Sequence, residues 1–532
     1  MKKRNAEYKP LLFTTTVRNP QRLKGLLWVL KKFDKETLTD EVATKVIGEL
    51  IRYGLYRPMH ITPAIREKWK SSPKGEFADT LLSEEEVTYI LAHNPQSHKE
   101  AGFSKGYPSR FATLFDFPKE LGFVYYEPNK PIAFSELGTK FSQIYEVQQE
   151  GENIVTQEKH PEYEQQAFLQ AMCKYQRSNP FVRVLNDNIP LILLLETIKK
   201  LNADPAYNGA GISRKELPLL IFWKDNNAQE LYQRIKLLRE SHGYTPSDEV
   251  IIDICTQEIM QDFKQFKPKS IIDEYPDEFI RKMRLTGLIS LRGGGRFIDI
   301  NYNENEKIAY ILKTYSSYKK YHTEKAYFNY MAKVDKQLFA IHSKKNEASK
   351  NEILLQQWVQ QYPWPILKEE LNNLALRKVS KDAILKFLPN PVRLEFLIAL
   401  SIKSSLPSVR VIPNYPTDDT GLPTATAGGN MGDITCLEHN KGVLVEVTMA
   451  EGRTQTIMEI WPIERHLEDF KKHFSENSQC IFVAPSIFSD SMRQIQFVKQ
   501  DKGLYIRPYK ISAFIHFLEN TQQLYSSEIS LC

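Results

Sequence analysis

Residues 432–455 read GDITCLEHNKGVLVEVTMAEGRTQ, and two carboxylates stand out among them. Glu446 interrupts VLVEVT, a run otherwise suited to burial in a sheet, and Asp433 opens the preceding apolar run, DITCLE. Asn440 and Gly442 in the intervening HNKG favour a turn, so the two runs predict a β-hairpin. Opposed residues in a hairpin have a constant sum of residue numbers. An even-length loop over 440–441 or 439–442 is read as giving a sum of 881, which opposes Asp433 to Thr448 and Thr435 to Glu446. Side chains alternate with period two, so Asp433, Glu446 and Thr448 share one face, and the two acids are diagonal neighbours about 7 Å apart. A slip of one residue would separate them across the sheet.

Two carboxylates meeting beside an apolar sheet repel each other and lose hydration, which is costly unless compensated. A hard divalent cation relieves both. Mg2+ takes oxygen ligands, typically one or two carboxylates with waters and phosphate oxygens. Such an ion can polarise a phosphodiester, acidify a water and steady a leaving oxygen. The spacing alone also admits a solvated edge strand with both acids exposed. Other groups could join the pair. Glu395 lies mid-helix among Leu394, Phe396 and Leu397, and Glu459 stands in TIMEIW just before Pro462. On the helix after Pro462, Ile463, Leu467, Phe470 and Phe474 form an apolar stripe that His466 borders. A histidine so placed reads first as a satisfied core residue.

The elements that must position these groups follow from about residue 389. PNPVRLEFLIALSI reads as a helix with Pro391 in its first turn. SVRVIPN, DITCLE and VLVEVT read as strands, PIERHLEDFKKHF as a helix and QCIFVAP as a buried strand. LYIRPYKI and ISAFIHFLEN add a strand and a helix. The order is α-β-β-β-α-β. Upstream, residues 305–388 are rich in Lys, Glu, Gln and Tyr, and predict several helices without a strand. Further upstream, one shape occurs twice. SRFATLFDFPKELG predicts a helix broken at Pro118, followed by strand, turn and strand in FVYYEPNKPIAFSELG. DEYPDEFIRKMRLTG predicts a helix ending at Gly287, followed by the hairpin LISLR-GGG-RFIDIN. A helix followed by a β-wing is the skeleton of a winged helix-turn-helix module. Arg281, Lys282 and Arg284 lie on the second helix, and Arg292 and Arg296 flank the wing tip. The GGG lies between strands with no helix after it, so it reads as a turn rather than a phosphate loop. Near the start, LLFTTTV predicts a strand and QRLKGLLWVLKKF a helix, and residues 84–95 predict another.

The whole chain sets outer bounds. Its 532 residues exceed one ordinary core. A net charge of +6 permits an acidic partner such as DNA without demanding one. The five cysteines (Cys173, Cys255, Cys436, Cys480 and Cys532) have no CxxC spacing, which argues against a disulfide framework or zinc ribbon and fits a reducing cytosol. Arg18, Asn19 and Pro20 break the first apolar run too early for a good signal peptide. No apolar run approaches the ~18 residues of a membrane span.

At the acid pair the sequence resembles a family. An acid opening one strand and an acid on the next, within α-β-β-β-α-β, resembles the PD-(D/E)XK nuclease core. TAGGNMGDITCLEHNKGVLVEVTMAEGRTQTIMEIWPIERHL is similar to the catalytic segment of AlwI-like type IIS restriction endonucleases, a group with related nicking enzymes. FTTTVRNPQRLKGLLWVL, GFVYYEPNKPIAFSELGTKF and KYQRSNPF extend the likeness through the N-terminal half. The resemblance implies a DNA-recognition region, a helical linker and a cleavage domain, acting on a short asymmetric duplex site and cutting a few base pairs to one side. By position it implies Asp433 and Glu446 as metal-binding acids, Glu395 as an acid on the preceding helix, and Glu459 and His466 as the downstream acid and histidine. The superfamily's usual lysine, two residues after the second acid, is Thr448 here. EVT is typical of the AlwI-like group, but threonine brings no positive charge. Water activation then falls to the cation, with His466 or Gln455 orienting the water.

The resulting expectation is a multidomain α+β protein. It has a DNA-recognition region at 1–304 built from two winged-helix-like subdomains (about 1–150 and 151–304), a helical linker at 305–388 and an α/β nuclease domain at 389–532. Expected catalytic residues are Asp433, Glu446, Thr448, Glu459, His466 and Glu395, with Asp433 and Glu446 binding Mg2+. Arg18, Arg110, Arg281, Lys282 and Arg284 are the candidate DNA contacts by placement. The expected partner is double-stranded DNA, in a cytoplasmic restriction system with a cognate DNA methyltransferase encoded alongside. One active site cuts one strand at a time, so double-strand cleavage needs transient pairing, a second catalytic subunit or sequential cuts. Two rival readings stay open: a strand-specific nicking endonuclease, and a winged-helix DNA-binding protein with an inactive nuclease-like domain.

Overall fold

The computed structural model describes residues 7–13, 17, 19–70, 72, 74–100, 102–182, 184–207, 209, 211–261, 266–429, 431–438 and 440–526. These form a mixed α/β, multidomain protein that divides into two compact units. The first holds 1–154 and 158–344, and the second holds 155–157 and 345–532. The helices expected over 305–388 are thus shared between the units. Among the described residues, no helix is long and apolar enough to cross a membrane.

The first unit is mostly helical. Its helices start where side chains can satisfy the open backbone donors. Thr39 caps Asp40–Arg52 by accepting from Val42 N, and Ser83 and Glu86 form a reciprocal capping box on Glu84–His93. The helix Tyr107–Glu120 runs through Pro118, where the sequence predicted a break. Burial of Leu114, Phe115 and Phe117 outweighs the single backbone bond that Pro118 lacks. Two-residue strands, Val124–Tyr125 and Ala133–Phe134, pair after it. The second copy of the shape is fuller. Helix Tyr275–Arg284 precedes antiparallel strands Ile289–Arg292 and Phe297–Ile300, and Ile212–Ser213 adds a third strand. The turn needs its glycines, since Gly293, Gly294 and Gly295 have φ of +58°, +68° and +81°. The strand expected at LLFTTTV does not form over its described residues. Leu11 and Leu12 make a turn and Val17 a bend, and Thr14, Thr15 and Thr16 lie outside the described residues.

The second unit is built on one mixed sheet. Helices α1 (Ala348–Gln361), α2 (Trp364–Ala375) and α3 (Asn390–Ser405) lead into β1 (Arg410–Pro413), β2 (Ile434–Glu438) and β3 (Lys441–Val447). Then come α4 (Gly452–Met458), α5 (Ile460–His473), β4 (Gln479–Ala484), α6 (Ser489–Lys502), β5 (Ile506–Lys510) and α7 (Ile511–Asn520). The spatial order is β5-β4-β3-β2-β1, with β1, β2 and β3 antiparallel in sequence and β4 and β5 parallel to β3. This contains the expected α-β-β-β-α-β order. The additional helix α6 buries Ser491, Ile495 and Val498 and is otherwise polar enough to read as loop.

Both faces of the sheet are covered. On one, Cys480, Phe482 and Ala484 of β4 pack with Ile460, Ile463 and Leu467 of α5 and with Ile495 and Val498 of α6. Phe470 and Phe474, expected to extend the buried stripe of α5, stack on each other instead, and Phe474 is 40% exposed. On the other face Val443, Val445, Ile481 and Val483 are fully buried, and α3 and α7 pack together on this side. Each such side chain contributes about 1.5–3 kcal/mol of burial, which gives the central hairpin a rigid seat.

Candidate active site

The register of β2 and β3 decides where the acids meet. Glu438 pairs with Lys441 and Val445 with Ile434, so paired numbers sum to 879 rather than the expected 881. The connection is therefore the two residues 439–440. The shift is an even number, so the faces are as expected, but the neighbours change. Continuing the ladder one step places Asp433 directly opposite Glu446 instead of diagonal to it. Beyond the ladder, Asp433 Oδ2 accepts the Val447 N–H at 2.7 Å.

The remaining acids and the histidine come from neighbouring elements. Glu446 is buried, and its Oε1 is 2.9 Å from His466 Nδ1 on α5. His466 Nε2 lies 3.2 Å from the Gly429 carbonyl. The Gly429 carbonyl offers only lone pairs and Glu446 is a carboxyl, so the two contacts favour a ring protonated on both nitrogens. Glu395, buried on α3, accepts the Ala427 N–H at 2.9 Å. Thr448 donates its hydroxyl to Glu459 Oε1 at 2.9 Å and accepts the Ala450 N–H at 3.0 Å. Glu459 stands at the junction of α4 and α5.

These groups feel one another's charge. Burial holds the Asp433 carboxyl well above the usual carboxylate range, and Glu395 and Glu446 push it further. Burial also raises Glu395; the Ala427 N–H opposes this and Glu446 reinforces it. Glu459 is pushed up to about 7 by burial, against the Thr448 hydroxyl and with the charge of Glu446. Burial alone would lower His466, but its hydrogen bond to Glu446 and that residue's charge more than reverse the effect, so the ring lies above its ordinary value. The structure thus brings together Asp433, Glu446, Glu395, Glu459, Thr448 and His466.

Two residues named as water-orienting are otherwise engaged. Gln455 is fully buried. Its amide donates to the Ala450 and Ser486 carbonyls at 3.1 and 2.8 Å and accepts the Phe488 N–H at 2.9 Å. It ties loops together and has no reach to spare. His466 has both nitrogens occupied.

A divalent cation suits the donor set. Among the described residues, no three His, Cys, Asp or Glu side chains form a ready cage. Two opposed carboxylates remain, within the number Mg2+ commonly takes. Among the described residues, Asp433 Oδ1 and Glu446 Oε2 accept no hydrogen bond, which leaves one hard oxygen on each acid for a cation.

The candidate DNA contacts lie in the first unit, apart from Arg18, which is outside the described residues. Arg110 binds Gln96 Oε1 through Nε and Nη2 at 3.1 and 2.9 Å. Arg281 and Arg284 are half-buried on Tyr275–Arg284. Lys282 is turned inward, fully buried and paired with Glu278 at 3.0 Å, so it leaves the set. Helical periodicity explains this, because Lys282 shares a face with Glu278 and Phe279, four and three residues earlier and both buried. At the wing, Arg292 is held by Asp299 Oδ2 at 2.6 Å, whereas Arg296 is exposed, with Nε 3.0 Å from the Gly293 carbonyl. The backbone groups of Ala427, Gly429 and Val447 left no trace in the sequence, because main-chain donors and acceptors carry no residue signature.

Comparison with known proteins adds the family. No curated protein matches the chain. Among solved structures, the small subunit (R.BspD6I2) of the heterodimeric restriction endonuclease R.BspD6I is 20% identical, over 29% of this chain and 75% of that one, with a TM-score of 0.25. Restriction endonuclease FokI is 12% identical, over 94% of this chain and 95% of that one, with a TM-score of 0.25. FokI bound to DNA gives 12%, 94%, 94% and 0.23. The model of the AlwI restriction endonuclease family matches residues 119–386 and 351–517, most of the chain. The chain therefore belongs to the AlwI restriction endonuclease family and is a type II site-specific deoxyribonuclease.

Proposed function

We propose that this type IIS enzyme uses Mg2+, held by Asp433 and Glu446 in a PD-(D/E)XK-type core, to hydrolyse DNA a few base pairs outside a short asymmetric site. The direct opposition of two acids on adjacent strands carries this reading. Bound there, the cation would polarise the scissile phosphodiester and acidify the attacking water. The protein's own groups do the rest. Val447 N–H and His466 each hold one oxygen of Asp433 and Glu446, which fixes the direction of the other oxygen. The positive charge that lysine would bring at 448 comes instead from the His466 imidazolium on α5. Thr448 orients Glu459, whose carboxyl, raised to about 7, is suited to take a proton from water near neutral pH. Glu395 adds a third acid from α3.

In the first unit, the two helix-and-hairpin segments act as winged-helix-like DNA readers, with Arg110, Arg281, Arg284 and the wing residue Arg296 toward DNA. Arg296→Ala is expected to weaken binding at every sequence and lower the salt slope by about one. Lys282→Met is expected to lower stability by about 3 kcal/mol through loss of the buried pair, while folded protein binds DNA as before. Anisotropy over a salt series, with melting curves, checks both.

Digestion of a sequenced supercoiled plasmid with Mg2+, followed by end sequencing, tests the function. Linear product with fixed ends beside one asymmetric sequence is expected. Accumulation of open circles alone would identify a nicking enzyme, and intact plasmid at every Mg2+ concentration would refute the reading.

A further inference from the structure

Asp433 stands at a weak point of the sheet. It precedes the first residue of β2, and the neighbouring strand β1 ends at Pro413, which pairs with Ile434 and has no N–H to offer. Glu395 and Glu446 both repel its carboxylate. Among the described residues, its side chain has a single hydrogen-bond donor, Val447. Something else must keep the Asp433 backbone in register. Asn414, the residue after Pro413, does so three times. Its main-chain N–H donates to the Asp433 carbonyl at 2.9 Å. Its Nδ2 donates to the Gly432 carbonyl at 2.6 Å and to Thr435 Oγ1 at 3.2 Å. The contacts bracket Asp433 on both sides and use both side-chain hydrogens.

The Gly432 peptide is also where displacement would be felt. A Cβ on Gly432 would lie 2.5 Å from Leu444 and 2.8 Å from Glu446 Oε1, so the backbone at 432 already abuts the second acid. Movement there disturbs both carboxylates at once.

We infer that Asn414 is a positioning residue for the cleavage reaction: by clamping the backbone from Gly432 to Thr435, it holds Asp433 opposite Glu446 in cation-binding geometry. The inference rests on the reading of Asp433 and Glu446 as the cation-binding pair. The chemistry requires a neutral donor here. Aspartate has the same shape, but it would set an acceptor against the Gly432 carbonyl and add a negative charge next to the Asp433 backbone. Asn414 touches no reacting atom and acts through Asp433.

The test uses full-length protein and its variants Asn414→Ala, Asn414→Asp and Asp433→Ala. Mn2+ binding to the cation-free protein is measured by calorimetry, kcat and KM on plasmid carrying the mapped site, and melting by circular dichroism. Both Asn414 variants are expected to bind Mn2+ about tenfold or more weakly and to lose about 10–100-fold in kcat, with Asp at least as impaired as Ala. KM is expected to stay within about twofold of the parent. Wild-type Mn2+ affinity and kcat in Asn414→Ala, alongside a dead Asp433→Ala, would overturn the positioning role while leaving the acid pair standing. Loss of folding in both Asn414 variants would make the residue structural and overturn it as well. Wild-type Mn2+ affinity in Asp433→Ala would instead remove the acid pair, and the inference with it.

Discussion

Asp433→Ala is expected to lower DNA cleavage by about three orders of magnitude or more while leaving binding to the recognition site intact. Position supports the size of the effect. Asp433 opposes Glu446 and offers Oδ1, an oxygen without a donor among the described residues. Glu395 comes from α3 and Glu459 from the junction of α4 and α5, so neither occupies the strand position opposite Glu446. DNA recognition is assigned to the other unit and should not change. Stability should move the opposite way from activity. The variant loses one hydrogen bond to Val447, worth about 1 kcal/mol, but it also removes a carboxyl that Glu395 and Glu446 repel. The cation-free variant is therefore expected to melt at or above the parent temperature. Cleavage by Asp433→Ala at the parent rate would remove the assignment.

The Mg2+ requirement is expected to steepen as the solution becomes acidic. Asp433 and Glu395 are held above the usual carboxylate range by burial and by their acidic neighbours, and Glu459 is raised to about 7. These shifts favour the protonated forms in the cation-free protein, and a cation binding there must displace the protons. Apparent affinity then falls about tenfold per pH unit for each proton displaced, or about 100-fold between about pH 8 and pH 6 for one proton. The sign for stability follows from the same groups. An acid whose pKa is raised by folding stabilises fully below its unfolded value, and that contribution is lost as pH rises through the folded value. Cation-free protein should melt lower at about pH 8 than at about pH 6, and Mg2+ should close the gap. Half-saturating Mg2+ that stays constant over this range would contradict the assignment.

Particular residues show what sequence could and could not deliver. The shared face of Asp433 and Glu446 was legible because strand side chains alternate strictly, and an even error in register leaves parity intact. Which residue opposes which was not legible, since HNKG admits several turns and only packing selects the two-residue one. Elements with strong apolar periodicity, such as α3 and α5, were readable, whereas α6 was missed because two buried aliphatics in a polar stretch make a faint pattern. Lys282 shows the opposite hazard. Its charge suggested DNA, but its helical phase turned it into the core beside Glu278. Glu395, Glu459 and His466 became candidates through family likeness more than through pattern. Asn414 carried no signal, because its role depends on a carbonyl 18 residues away.

The short connection between β2 and β3 bears on how the chain acquires its shape. Asp433 and Glu446 are separated by few residues, and a two-residue turn can zip them together locally. The parallel partner β4 must wait for α4 and α5 to be made. A nascent polypeptide leaving the ribosome can therefore pair the two acids while water still screens them. The repulsion grows only when α5 closes over the sheet and brings His466 against Glu446. Docking of that helix completes the charge balance of the cleft.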